Sequence, residues 1–254
     1  MAKIAAQMYT LRDFCKTPAD IAASCARVKK MGYDGVQLSG IGPIDNMEMK
    51  RILDGEGLQC AATHISLEEM EASPEKVIER QLLWGCRLVA IGGYFVKEPW
   101  HRSVWEEFVP RYNALSRRYA GSGVRIGYHN HHQEFLQAEG IRPIDYLIAN
   151  LNPDIWMEID THWVARGGAD PAAYIEKVAH RIPLVHFKDI QLKQDKASYE
   201  MCEIGDGALN WPRIIQACRY AGVQWYAVER DSGEMDPFDS LQRSIDNMRN
   251  KMGL

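Results

Sequence analysis

Eight short runs of β-type residues recur along the chain, separated by longer amphipathic stretches with apolar residues at mixed i, i+4 spacing. The runs are Ile4–Met8, Gly35–Ser39, Gln59–His64, Leu88–Gly92, Arg125–Asn130, Ile155–Asp160, Leu184–Lys188 and Gln224–Glu229. Their length and residue types predict strands. The stretches between predict helices, among them Pro18–Met31, Trp100–Tyr119 and Asp170–His180, the last with Pro171 in its first turn. Gly32, Gly57, Gly123 and Gly222 each fall just before a strand, where a glycine closes a helix. Strand starts lie roughly 25 to 40 residues apart, the repeat of a βα unit. Eight such units, with no Gly/Ser linker between them, predict an α/β fold: a single (β/α)8 TIM barrel domain over residues 1–254. An open doubly wound sheet would carry a GxGxxG turn after its first strand, and Gln7-Met8-Tyr9-Thr10-Leu11 has no glycine there.

Four of the later runs end in side chains able to bind a metal. Ile126-Gly127-Tyr128 leads into His129, Asn130, His131, His132, Gln133 and Glu134; Ile155-Trp156-Met157 leads into Glu158 and Asp160. Leu184-Val185 leads into His186, and Tyr226-Ala227-Val228 into Glu229. The C-terminal ends of the strands are where an α/β barrel carries its chemistry. Residues two apart on a strand share a face, so Gly127, His129 and His131 point together, as do Trp156, Glu158 and Asp160, or Leu184, His186 and Lys188. With those faces inward, His129, Asp160, His186 and Glu229 converge. Glu134 folds back over the same mouth, and His64 reaches it from the opposite side. Two carboxylates with one or two imidazoles suit one divalent ion, Mn2+ first, with Mg2+, Co2+ and Zn2+ as alternatives.

Composition narrows what such a site serves. A net charge of −4 argues against a nucleic-acid surface, which needs clustered cations. No run reaches the roughly 18 apolar residues of a membrane span, so no membrane partner is expected. The opening ten residues hold no long apolar stretch, and the six cysteines are scattered without a CxxC pair. Reduced thiols and a cytoplasmic location are the expectation. The partner is then a small molecule, and a homo-oligomer is compatible with the sequence.

Weaker candidates surround the four. Lys188-Asp189 suits an anionic or hydroxylated substrate, or an exposed ion pair. Gly205-Asp206-Gly207, with Asn210-Trp211, falls after strand seven, where barrels bind phosphate, although an ordinary turn fits as well. Trp163 and Arg166 stand to wall the pocket and hold a hydroxyl or phosphate; Tyr9, Tyr94, Phe95 and Trp100 add apolar walls.

Taken in order, Tyr128-His129-Asn130-His131-His132-Gln133-Glu134-Phe135, Glu158-Ile159-Asp160-Thr161-His162-Trp163, Val185-His186-Phe187-Lys188-Asp189, Gly205-Asp206-Gly207-Ala208-Leu209-Asn210-Trp211 and Val228-Glu229 resemble the sugar phosphate isomerase/epimerase branch of the xylose-isomerase-like TIM barrels. The resemblance implies one divalent metal held by Glu, Asp, His and Glu from strands five to eight. Asp160, His186 and Glu229 match the last three. At the first position this chain carries His129, so either Glu134 supplies the carboxylate or His129 binds the metal itself. The implied reaction is isomerisation or epimerisation of a small-molecule substrate, a sugar, keto-sugar or sugar phosphate. A chelated carbonyl acidifies the neighbouring C–H, and Glu229, ligand and base together, removes that proton with Glu158, His129 or His64 as partner acid. His64, His131, Trp163, Arg166 and Lys188 remain for the substrate. Loss of a β-hydroxyl instead gives a dehydratase or lyase on a keto-cyclitol or 3-keto-glycoside. An apurinic-type endonuclease, which needs three metals and a basic groove, and a non-catalytic sugar-binding barrel are the readings from other classes.

Overall fold

The computed structural model describes residues 2–193, 195 and 197–254. Eight parallel strands close into a barrel in the order β1-β10-β7-β6-β5-β4-β3-β2. They are β1 (Lys3–Gln7), β2 (Gly35–Leu38), β3 (Gln59–His64), β4 (Leu88–Ile91), β5 (Arg125–His129), β6 (Trp156–Asp160), β7 (Leu184–Phe187) and β10 (Trp225–Val228). All eight expected strands form, each within a residue of its anticipated ends. The remaining two, β8 (Asp189–Leu192) and β9 (Tyr199–Cys202), form an antiparallel hairpin inserted after β7. Sequence reading had placed only a loop there. Closure leaves the barrel strands no free edge.

The helix boundaries follow their caps. Pro18–Met31 starts from a Thr17–Asp20 capping box and stops at Gly32, whose φ of 95° is left-handed. Gly57 and Gly222 end helices in the same way. Gly123, expected to do so, does not: that helix (Arg102–Tyr119) closes on Ala120, and Gly123 lies in the turn leading to β5. The helix expected over Asp170–His180 is shorter, Pro171–Lys177, with Asp170 as its N-cap. Among the described residues, no helix is long and apolar enough to cross a membrane.

Strand alternation splits the interior in two. Outward residues such as Met157, Ile159, Val185, Phe187 and Val228 pack beneath the helices in the main core. Inward residues Ala5, Ala90, Trp156, Leu184, Trp225 and Ala227 fill the lumen floor. Two indoles fit there because glycines face them. A Cβ on Gly127 would collide with the Trp156 ring, and one on Gly35 would press on Trp225. This pairing of large with absent side chains plugs the barrel. It raises the next inward residues on β5, β6, β7 and β10 to the open C-terminal end.

Candidate metal centre

One step above the floor the inward residues are polar. Register pairs Asp160 with His186, and His186 with Ala227, two residues before Glu229. The Glu229 amide donates to the Phe187 carbonyl at 3.2 Å, which holds it at the strand's end. Asp160 and His186 are wholly buried, and Glu229 is 6% exposed. His186 Nδ1 lies 3.0 Å from Glu229 Oε2 and 3.7 Å from Asp160 Oδ2. These three atoms, Asp160 Oδ2, His186 Nδ1 and Glu229 Oε2, are all buried without a hydrogen-bond partner. Buried polar atoms are rarely left bare, and here three converge on one point. Asp160, His186 and Glu229 bring one ligand atom each within 4.8 Å of one another, as do His64, His129, Glu158 and His186 in a second group.

The charge balance fits a cation. The Lys188 ammonium stands 2.8 Å from Glu229 Oε2, 3.2 Å from Asp160 Oδ2 and 3.0 Å from Asp231 Oδ2. Toward the first two it pairs in charge but is out of line for a hydrogen bond; toward Asp231 it donates one. Burial pushes the Asp160 and Glu229 carboxyls up, yet Lys188 and the neighbouring imidazoles outweigh it and hold both well below the usual range. Glu158, Asp160 and Glu229 raise His186, and Asp160, Glu229 and Asp231 raise Lys188, against burial, which alone would lower both. The carboxylates thus draw cations to this point, and a divalent ion bound there would displace the Lys188 ammonium and the extra proton of His186.

Below this point lies a second tier. His186 Nε2 faces Gln37 Oε1 at 2.7 Å and Glu158 Oε1 at 3.2 Å. Glu158 also takes the Gln37 amide (2.7 Å), His64 Nε2 (2.5 Å) and His129 Nδ1 (3.2 Å). It lies off the cavity, wholly buried. Burial and the charge of His186 push His129 down to about 4, so its imidazole is neutral at pH 7. Its Nε2 comes to 3.7 Å from Asp160 Oδ2, the place of a fourth ligand.

A cavity of about 560 Å³ opens above the site, within the usual size range of small-molecule pockets. Its polar lining includes His64, His129, His131, Lys188, Glu229 and Asp231, and its apolar lining Ile65, Leu67, Ile91, Tyr94 and Phe95. Tyr9 stands at the rim, whereas Trp100 is on the outer surface, 48% exposed and off the cavity. Trp163 and Arg166 are also off it: the Trp163 amide donates to Asp160 Oδ1, its ring packs on His131 and His132, and the exposed Arg166 guanidinium stands 5.5 Å from the ring centre.

Glu134 has a different place from the one expected. It sits on the short turn His132–Phe135. One oxygen accepts from the outward-facing Tyr128 hydroxyl (2.6 Å) and the other from the His131 amide (2.9 Å). Both oxygens are thus engaged in the barrel wall, outside either ligand group. Burial raises its carboxyl to about 7.

Sequence reasoning missed Gln37 and Asp231. Gln37 is the one polar residue in Gly35-Val36-Gln37-Leu38, and Asp231 repeats the spacing of Glu229 by two; those were the available signals. Burial and the Glu229 charge push Asp231 up to about 7.

Comparison with known proteins agrees with this architecture. An inosose dehydratase from Lacticaseibacillus casei is 25% identical over 82% of this chain and 82% of its own. The solved sugar phosphate isomerase/epimerase from Parabacteroides distasonis superposes with a TM-score of 0.79 at 21% identity, covering 98% of this chain and 94% of that one. The IolI protein, solved with a bound zinc atom, gives 0.70 at 12% identity over 98% and 97%. The family model for the xylose isomerase-like TIM barrel matches residues 25–251, and the chain belongs to that family.

Proposed function

We propose that this protein is a metal-dependent enzyme that enolises a keto-sugar or keto-cyclitol, with Asp160, His186 and Glu229 holding the metal and His129 beside them. The observation that carries this reading is the convergence of three buried, partnerless ligand atoms at the mouth of the barrel. A divalent ion bound there supplies Lewis acidity that loosens the proton next to a carbonyl.

The chain's residues do the rest. Glu229, kept ionised beside the cavity, takes the proton from carbon. Neutral His129 gives its Nδ1–H to Glu158 and turns a bare Nε2 toward the ligand point, fit to ligate the ion or accept from a substrate hydroxyl. Gln37 and Glu158 fix the His186 ring so that Nδ1 faces the ligand point, the usual arrangement behind a ligating histidine. Glu158 is therefore an orienting group rather than the partner acid. Returning the proton to the other face or to the neighbouring carbon makes the enzyme an epimerase or isomerase. Expelling a β-hydroxyl as water, with the proton that Glu229 took from carbon passed on to the leaving oxygen, makes it a dehydratase. A specific observation favours this second outcome: at the strand-five position where an epimerase of the resembled family has a carboxylate, this chain has His129, whose imidazole is neutral.

Deuterium exchange into candidate ketoses in D2O with added Mn2+ tests the proposal. Wild type exchanges the α-proton, and Glu229→Gln loses at least about a thousandfold of the rate. Exchange by Glu229→Gln at the wild-type rate rules the assignment out.

A further inference from the structure

Lys188 is the one Lys or Arg among the described residues lining the cavity, and it is buried. Thr161 clamps its main chain: the hydroxyl donates to the Lys188 carbonyl (2.7 Å) and accepts from the Lys188 amide (3.0 Å). Freedom to move is left to the flexible four-carbon stem. The ammonium at its end faces three carboxylates, with Glu229 Oε2 at 2.8 Å, Asp231 Oδ2 at 3.0 Å and Asp160 Oδ2 at 3.2 Å. They are not equivalent. Asp231 takes a hydrogen bond from it, whereas Asp160 Oδ2 and Glu229 Oε2 hold it by charge.

Those last two oxygens are also the ones assigned to the metal. An ion about 2.1 Å from Glu229 Oε2 stands within roughly 5 Å of the ammonium, because Nζ is itself 2.8 Å from that oxygen. Two cations so close, in a site this buried, repel with little screening. One has to give way, and the site holds a place for it. Asp231 lies two residues past Glu229 and outside both groups of converging ligand atoms. Its main chain is fixed from two sides, the carbonyl accepting from Arg12 Nη2 (2.8 Å) and the amide donating to Met201 Sδ (3.3 Å). Its second oxygen, Oδ1, is buried with no hydrogen-bond partner, so this carboxylate has room for a further N–H from the ammonium.

We propose that Lys188 and Asp231 form an exchange device for the metal. Without the ion, the Lys188 ammonium neutralises Asp160 and Glu229; when a divalent ion takes their oxygens, the ammonium passes to Asp231 alone. Asp231 is thus a positioning residue that acts on the metal through Lys188 and not as a ligand. The inference rests on the ligand assignment made in the proposed function.

Mn2+ affinity by calorimetry across a double-mutant cycle tests it. Lys188→Met loses the competing charge and binds Mn2+ on the order of tenfold tighter than wild type, while Asp231→Asn loses the receiving carboxylate and binds on the order of tenfold weaker. In the Lys188→Met background, Asp231→Asn changes the affinity by less than about twofold. A loss of equal size in both backgrounds means that the Asp231 charge acts on the ion directly, and it overturns the proposal. So does weaker binding by Lys188→Met. A second readout needs no metal: Lys188→Met melts below wild type, because two buried carboxylates lose their counter-charge, and an unchanged melting temperature overturns the neutralising role. Should a variant not fold, crystals of the wild type grown with Mn2+ decide. An Nζ bonded to Asp231 and withdrawn from Asp160 Oδ2 and Glu229 Oε2 supports the exchange; the three-way contact kept beside a bound ion overturns it. Wild type that binds no Mn2+, or Asp160→Asn that binds it as tightly, removes the ligand assignment and the device together. Binding that depends on Asp160 but lacks the coupling removes the device alone.

Discussion

Asp189 and Glu229 are buried carboxylates at the same end of the barrel, and they are solvated in opposite ways. Asp189 receives five N–H donors from its own loop, helix start and neighbour. Glu229 Oε2 receives none and is balanced by charge alone, from Lys188 and His186. Burying a carboxylate is costly unless something compensates it. At Asp189 the compensation is fixed backbone, which makes the residue structural. At Asp160 and Glu229 it comes from side chains, which leaves their bare oxygens free for a ligand. Burial alone therefore does not mark a functional acid in this barrel; the missing donors do.

The largest effect should come from the satisfied carboxylate. Asp189→Ala strands all five donors and should cost about 3–5 kcal/mol in chemical denaturation. A loss under about 1 kcal/mol would erase the contrast. Asp160→Asn keeps the bond to the Trp163 amide, so the metal-free protein should unfold within about 1 kcal/mol of wild type. Its Mn2+ affinity by calorimetry should nonetheless fall on the order of a hundredfold.

Glu134 sharpens the same comparison through pH. Its folded carboxyl, near 7, stands above the unfolded value of 4.5, so folding favours the protonated form. The stability this contributes is complete below pH 4.5 and is lost as pH rises through 7, on the order of 3 kcal/mol. Glu134→Gln should flatten that part of the stability profile. An unchanged slope would show that the carboxyl is ionised throughout. The smallest effect belongs to the second tier. Gln37→Leu removes the acceptor at His186 Nε2 and should weaken Mn2+ binding roughly tenfold, with Gln37→Glu restoring part of it.

The barrel was legible because its strands are short apolar runs at regular spacing, and parity along them placed His129, Asp160, His186 and Glu229 on one side. Parity ends where the strand does. Glu134 lies five residues past His129 on a tight turn, and no spacing rule shows that Tyr128 and the His131 amide claim its oxygens. The β8–β9 hairpin was invisible for a related reason. Asp189-Ile190-Gln191-Leu192 and Tyr199-Glu200-Met201-Cys202 are mixed, half-exposed segments whose pairing is decided by each other. The Gly205-Asp206-Gly207 loop looked available because sequence shows its amides and not the carboxylate that fills them. Gln37 was readable in principle, as a lone inward polar residue on β2.

The central claim is that Asp160, His186 and Glu229 form the metal position. It is tested most directly by anomalous scattering from crystals grown with Mn2+. One peak bonded to Asp160 Oδ2, His186 Nδ1 and Glu229 Oε2 is the predicted result. A peak lodged instead among His64, His129 and Glu158, or none at saturating Mn2+, would contradict it.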